Sequence, residues 1–459
     1  MFTRRAWQIL ILCYLGTALP ALTQANFYAV FPIIKGDIGI STTLQANMMS
    51  ICAITNTINK LICGAIVDAY GARTVWSSAL AICGVVLAVI ALASEGFPWI
   101  VIIGWMIHKT LHAFFWTAMI ITLSTHLKGS MFSTALGILS TSSRVGAVVG
   151  GFLASSCLGW TAGWRKAVQI TAAASFVMAI ALTLLLDPAK RIPNAANNTN
   201  PANADSNFAT DTNIKNRNTD SESGENKRQP RLMEVLAVAL SSPRFLLFLT
   251  FAALAFPAFS LQDLFPSYFV AQGMSAADAA RVSSGWPAGM ALSLPLAGWF
   301  AGRSPKVAAA LIGIGMGISG ALMLLLSQLD LGASSPVEAV RIQRVAQAVL
   351  CAMGFCFAPA LYLPPATFAS TFGGAHSKAL IVSLIDFIGN IGIVLLNVAI
   401  PQLVARVGWG GVIVLNAILV VLSAVIISYL QWWQIVKPVE ALVVRPAVQR
   451  KPESSKKVQ

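Results

Sequence analysis

Apolar runs of about 20 residues or more recur along the whole chain, the length an α-helix rising 1.5 Å per residue needs to cross roughly 30 Å of hydrocarbon. They fall near 7–34, 42–67, 75–94, 98–125, 133–158 and 165–187, and resume near 244–270, 280–301, 307–328, 337–371, 379–404 and 409–433. Inside hydrocarbon each backbone N–H and C=O must find its partner within the protein, so every run is predicted to be a helix. The fold class is therefore an all-α membrane protein of twelve transmembrane helices. Several runs exceed the minimum length and are expected to tilt. Composition agrees: 56% of residues are hydrophobic and 10% charged, too few charges for a water-facing surface.

The interruption between the two sets of six runs divides the chain. Residues 1–187 form a first six-helix lobe, 188–243 a linker, 244–433 a second lobe and 434–459 a tail. The linker holds ten asparagines and charges of both signs, with almost no apolar content until Leu232, a composition expected to stay largely disordered. Its end, Arg231 to Leu240, has apolar residues at helical spacing and is read as able to lie along a membrane surface. Of the 31 Lys and Arg residues, 21 fall on one side if both termini share it, against 6 on the other and 4 within spans. Basic residues favour the cytoplasmic side, which places both termini, the linker and the tail there, in a plasma (inner) membrane.

A net charge of +14 raises nucleic acid as a partner, but the basic residues lie between apolar spans rather than in aromatic-interleaved patches, and none is expected. All seven cysteines lie inside apolar stretches without metal-ligand spacing, so they read as small buried hydrophobes. The first run is too long for a signal h-region, and no small-residue cleavage site follows it. Neither a nucleophile–base constellation nor a metal or cofactor motif is present, so an enzyme is not expected.

The loop after the second run reads Gly64-Ala-Ile-Val-Asp68-Ala-Tyr-Gly71-Ala-Arg73, and Gly298-Trp-Phe-Ala-Gly302-Arg303 after the eighth echoes it, as an internal duplication would. This pattern resembles the loop signature of the major facilitator superfamily, and Gly163-Trp164-Arg165 is also similar to that family. The resemblance implies two six-helix lobes working as a monomer. It also implies that Asp68 braces a gate near the start of helix eleven, with Arg73 nearby. Further stretches resemble the organophosphate:phosphate antiporter branch: Arg5-Ala-Trp7-Gln8, Asn26-Phe27, Asn59-Lys60 through Gly64, Asp263 through Tyr268, and Phe372 through His376. The branch carries phosphate-holding arginines on helices one and seven. Here Gln24 and Ala258 stand at those positions, which implies an altered substrate.

Charges within spans are the candidates for chemistry, because each is costly there. Span four carries His108, Lys109 and His112; its histidines share a face, but Lys109 stands where a zinc helix would need a carboxylate. Metal is not expected; cavity lining and structural hydrogen bonding both stay open for these histidines. Arg144 lies about 16 Å into span five, too deep to snorkel. Lys60 lies in span two, where a binding role and snorkelling both stay open. Arg344 and Arg341 fall in the first turns of span ten behind Ser335-Pro-Val-Glu338 and read as interfacial anchors. Span seven holds Asp263 beside Gln262, and span eleven holds Asp386 with Ser383 and Asn390 on its face. Cations thus gather in the first half and carboxylates in the second, where they could pair across the lobes or grip a ligand. The glycine pairs Gly146/Gly150 and Gly285/Gly289 have helix-packing spacing, and the resemblance implies that helices five and eight meet between the lobes. Prolines in spans one, seven and ten are expected to kink helices around a central path.

The resulting expectation is a secondary active transporter of a small polar, anionic or zwitterionic metabolite, with a proton or an anion as coupled ion. Its substrate residues are Arg144, Lys109, Lys60, Gln24, His112, Asp386 and Asp263. Two alternatives stand beside it: a proton-coupled carrier using Asp386 or Asp263, and a transport-dead membrane sensor signalling through the linker and tail.

Overall fold

A computed structural model describes residues 3–127, 138–159, 163–186, 239–303, 305–329, 336–372 and 374–436, together with Ala135 and Ala237. The expected linker, save its last residues, and the expected tail beyond Val436 lie outside the described residues. The first lobe comprises α1 (Arg4–Ile38), α2 (Thr42–Tyr70), α3 (Ala72–Ala91), α4 (Pro98–His126), α5 (Ser142–Leu158) and α6 (Gly163–Leu185). In the second lobe α7 (Pro243–Ser260) leads through a 3₁₀ turn (Leu261–Asp263) into α8 (Phe265–Ala271), and these together make span seven. Then follow α9 (Ala276–Ser283), α10 (Gly285–Arg303), α11 (Pro305–Gln328), α12 (Pro336–Phe372) and α13 (Gly374–Val436).

These helices fall on the twelve predicted spans. Spans eleven and twelve run on as one helical stretch, broken only where Gly408 takes φ 70° and ψ −179°. Positive φ of this kind suits glycine, so a single residue replaces the longer loop expected there. Short side chains close the helix starts: Thr3, Ser41 and Ser242 each accept a bond from a backbone N–H in the first turn. Among the described residues, seven helical stretches are long and apolar enough to cross a membrane, and the last, Leu384–Trp433, is at 50 residues long enough for two crossings. Outward-facing side chains such as Ile11, Leu15, Val85, Val177, Leu184, Leu296, Ile314 and Val425 are apolar and exposed, as contact with lipid tails requires.

The two lobes repeat one packing scheme. In the first, α1 packs on α5, α2 on α4 and α3 on α6; in the second, α7 packs on α13, α10 on α12 and α11 on α13. Glycine makes the tightest crossings. A Cβ on Gly146 would lie 2.1 Å from the Ala18 carbonyl oxygen, and one on Gly150 2.3 Å from that of Leu22. In the second lobe a Cβ on Gly392 would come 2.2 Å from the Ala253 carbonyl oxygen, the counterpart contact of α13 on α7. This corrects the expectation that the glycine pairs bring helices five and eight together. Gly146 and Gly150 pack α5 on α1, while Gly285 and Gly289 pack α10 against Gln347 and Cys351 of α12. The α5 glycine that faces span eight is Gly151, against Ala280 and Ser284.

Burial sorts the core into two levels. From the level of Phe27 to Ile38 in α1, first-lobe residues such as Met48, Trp105, Cys157 and Trp164 share one continuous core with the second lobe. Nearer the chain's N-terminus, Ala6 to Leu19, Trp76, Phe115, Met119 and Leu182 form a core confined to the first lobe. Among the described residues, the buried apolar cores of the lobes are thus joined on one side of the molecule and distinct on the side bearing the N-terminus.

Candidate functional site

Where the lobes part, a cavity of about 270 Å³ opens between α1, α2, α4 and α5 on one side and spans seven, eight and eleven on the other. Its charged lining residues are Lys109, Arg144 and Asp263, with Gln24 and His112 beside them. Asp263 is there because span seven breaks: Pro257 lies in the last turns of α7 and Pro266 opens α8, so the carboxylate sits at a 3₁₀ turn between two helical segments.

A chain of hydrogen bonds links the lobes across the cavity. Lys109 Nζ donates to Gln24 Oε1 at 2.8 Å, and Gln24 Nε2 donates to Asp263 Oδ2 at 3.1 Å and Oδ1 at 3.3 Å. The amide of Gln24 therefore separates a first-lobe cation from a second-lobe carboxylate, offering an acceptor to one and a donor to the other. Behind Gln24, Phe27 stacks on Trp105 at 3.6 Å, Trp105 stacks on His108 at 4.7 Å, and the Trp105 indole donates to the Tyr28 hydroxyl at 3.3 Å. His108 is almost wholly buried in that stack and is not in the lining, which favours a structural role over cavity lining.

Arg144 is 7% exposed, and its guanidinium lies 5.0 Å from the Phe259 ring centroid and 5.3 Å from that of Tyr362, both in the second lobe. Among the described residues it has no ion pair, and its buried Nε has no hydrogen-bond partner. Asp263 lies within electrostatic range but makes no direct contact with it. The expected alternative, a fixed salt bridge from Arg144 to Asp263 or Asp386, is not what holds the side chain; two aromatic faces are.

Of the residues expected from the sequence, the fold brings Gln24, Lys109, His112, Arg144 and Asp263 together. Asp386 lies one turn before Asn390 on α13; Asn390 and Asn397 line the cavity, and Asp386 does not. Lys60 and Asp68 lie on α2, and their side chains are outside the described residues, so the expected gate contact of Asp68 is too. Gly64 is in α2, and Gly71, at φ 85°, ends α2 and opens α3. Arg73 donates to the Thr183 carbonyl and Arg5 to that of Leu185 at 3.3 Å, so both cap the last turn of α6. On the opposite side, Trp164 donates to Asp37 at 2.7 Å and Arg165 pairs with the same carboxylate at 3.9 Å, tying α6 to the end of α1. Sequence reasoning did not single out Tyr28, Asn56, Phe259, Tyr362 or Asn397. A polar amide inside an apolar run was a usable signal for the two asparagines, whereas the aromatic residues carried none.

Two six-helix lobes with a polar, charged cavity between them are the architecture of a membrane carrier. The Major Facilitator Superfamily description matches residues 13–395, and the chain belongs to that superfamily of membrane transporters, which work by alternating access. No curated protein matches the sequence. Its fold is similar to that of a bacterial homolog of the human lysosomal transporter Spinster in an inward-facing, unoccupied conformation. That match has a TM-score of 0.68 at 15% identity, covering 94% of this chain and 98% of the other. The inward-facing, occupied form matches at TM-score 0.63 and 13% identity, covering 95% and 97%.

Proposed function

We propose that the protein is a secondary active carrier of a small polar, anionic or zwitterionic metabolite, with Arg144 and Lys109 receiving the substrate's anionic group. One observation carries this reading: a permanently charged guanidinium is buried in the central cavity with no carboxylate in direct contact among the described residues and with a hydrogen-bond donor unused. Arginine does not escape burial by losing its proton, so an anion entering between the lobes would neutralise it. Gln24 and His112 line the same space. The branch-level motifs support a place near the organophosphate:phosphate antiporters with a changed substrate. Residues 1–187 and 244–433 then rock as two lobes of a monomer in the plasma membrane, with the linker 188–243 and the tail 434–459 cytoplasmic. The side on which the lobes are separate is, on that topology, the inner one.

Flux in proteoliposomes tests the reading. Purified full-length protein should accumulate or exchange a labelled organic anion selected by thermal stabilisation. Ligand binding without any flux would favour the sensor alternative instead.

Proton coupling is supported by a specific observation, the Lys109–Gln24–Asp263 chain across the lobe interface. Protonating Asp263 would weaken that link and free Lys109 for substrate. The Asp263→Asn variant should then keep exchange but lose accumulation driven by a pH gradient. Retained accumulation would remove Asp263 as the proton carrier.

A further inference from the structure

Resting on the anion-carrier reading above, we infer that the cavity is built for a hydroxylated organic monocarboxylate: one net negative charge, with O–H donors of its own. Two independent features lead there.

The first is charge balance. Among the described lining residues, Lys109 and Arg144 contribute two positive charges and Asp263 one negative; counting histidine as uncharged, the described lining carries a net formal charge of one positive. Uncompensated charge away from bulk water is costly. A monoanion cancels it. A zwitterion leaves it in place, and a dianion such as a phosphate monoester reverses it.

The second is the hydrogen-bonding character of the walls. The amide oxygens of Asn56 and Asn397, on opposite lobes, are buried and have no donor. Three serines in the lining already spend their hydrogens on their own helices: Ser260 on the Pro257 carbonyl, Ser283 on that of Ala279 and Ser284 on that of Arg281. They therefore present lone pairs to the cavity. The neutral wall thus offers these acceptors beside the N–H donors of Asn56, Asn397 and Gln262, a mixed character that a hydroxyl, donor and acceptor at once, matches. The complementary ligand places a carboxylate at Arg144 and Lys109 and hydroxyl groups along Asn56, Asn397 and the serines. An ammonium group could also donate to those acceptors, but it would restore the positive charge that the carboxylate had cancelled. Size agrees, since 270 Å³ is room for about nine water molecules, hence a ligand of roughly that many heavy atoms or a few more.

The experiment is a binding series on the full-length protein in detergent, read by thermal stabilisation and calorimetry. The probes are gluconate, hexanoate (same charge, no hydroxyls), sorbitol (hydroxyls, no charge), serine (a hydroxylated zwitterion) and glucarate (a hydroxylated dianion). Gluconate should bind at least about tenfold more tightly than each of the others, because a site built around hydroxyls leaves its polar groups unpaired when they are missing. In Asn397→Leu and Asn56→Leu the ratio of gluconate to hexanoate affinity should fall about tenfold. Using the ratio separates lost recognition from general damage to the fold. Hexanoate binding as tightly as gluconate overturns the hydroxyl assignment, and tighter binding of serine or glucarate overturns the charge assignment; both leave the anion site standing. Failure of every anion to bind, or gluconate binding unchanged in Arg144→Lys, overturns the anion-carrier reading itself and this inference with it.

Discussion

Arg144 shows how a residue's identity and its role come from different sources. A guanidinium deep in an apolar run was conspicuous in the sequence, and so were Lys109, His112 and Asp263, because each is costly at that depth. Its partners were not legible. Phe259 and Tyr362 look like any other aromatic residue of a span, and only the meeting of the lobes brings them over the charge. Arg144→Lys keeps a cation near both rings but loses the planar fork that grips a carboxylate at two points. Substrate affinity, measured by calorimetry, should fall by about tenfold or more, roughly 1.4 kcal/mol. The apo unfolding temperature should stay nearly unchanged, and a second substitution at Asp263 or Asp386 should not rescue binding. A large loss of apo stability, repaired by the second substitution, would instead assign Arg144 to a fixed ion pair. Gln24 teaches the converse: it was noticed for an arginine it replaces, while its use as a bridge between Lys109 and Asp263 came from geometry.

Helices were the most legible level, since apolar length and backbone satisfaction in hydrocarbon leave few choices. What each helix packs against was less so. Glycine spacing announced close approach, but the same spacing serves any partner, and the contact fell within the lobes rather than between them. A side chain at Gly146 must displace the α1 backbone at Ala18, not a rotatable group. Gly146→Leu is therefore expected to destabilise the protein by about 1–3 kcal/mol or more, seen as a lower unfolding temperature in detergent. Gly317→Ala on α11 is the control: nothing lies within 4 Å of its added methyl. It should leave stability unchanged or raise it by about 0.5–1 kcal/mol, as alanine does when it replaces glycine in a helix. Equal losses at both positions would show that the α1–α5 crossing is not specially tight.

For the whole molecule, the separation of the lobes toward the side of the N-terminus makes a prediction about membrane sidedness. If the basic segments face the cytoplasm, protease added outside intact cells should leave 188–243 uncut, while the same enzyme cuts there in inverted vesicles; cleavage in sealed cells would reverse the assignment. That orientation is an expectation from charge placement alone, whereas the class of the protein and its two sets of six spans could be read before any fold was known and agree with the structure. These follow from the solvent: lipid penalises every exposed polar group, so the pattern of apolar runs is itself a statement about topology. The cavity is different. Gln24, Lys109, Arg144 and Asp263 are separated by up to 239 positions along the chain, and Asp386, equally conspicuous in sequence, lies one turn away from the wall. Periodicity places a side chain on a face of its own helix, but which face meets the other lobe depends on how the helices rotate and cross. Packing decides that, and packing alone set a carboxylate, an amide and two cations around one space.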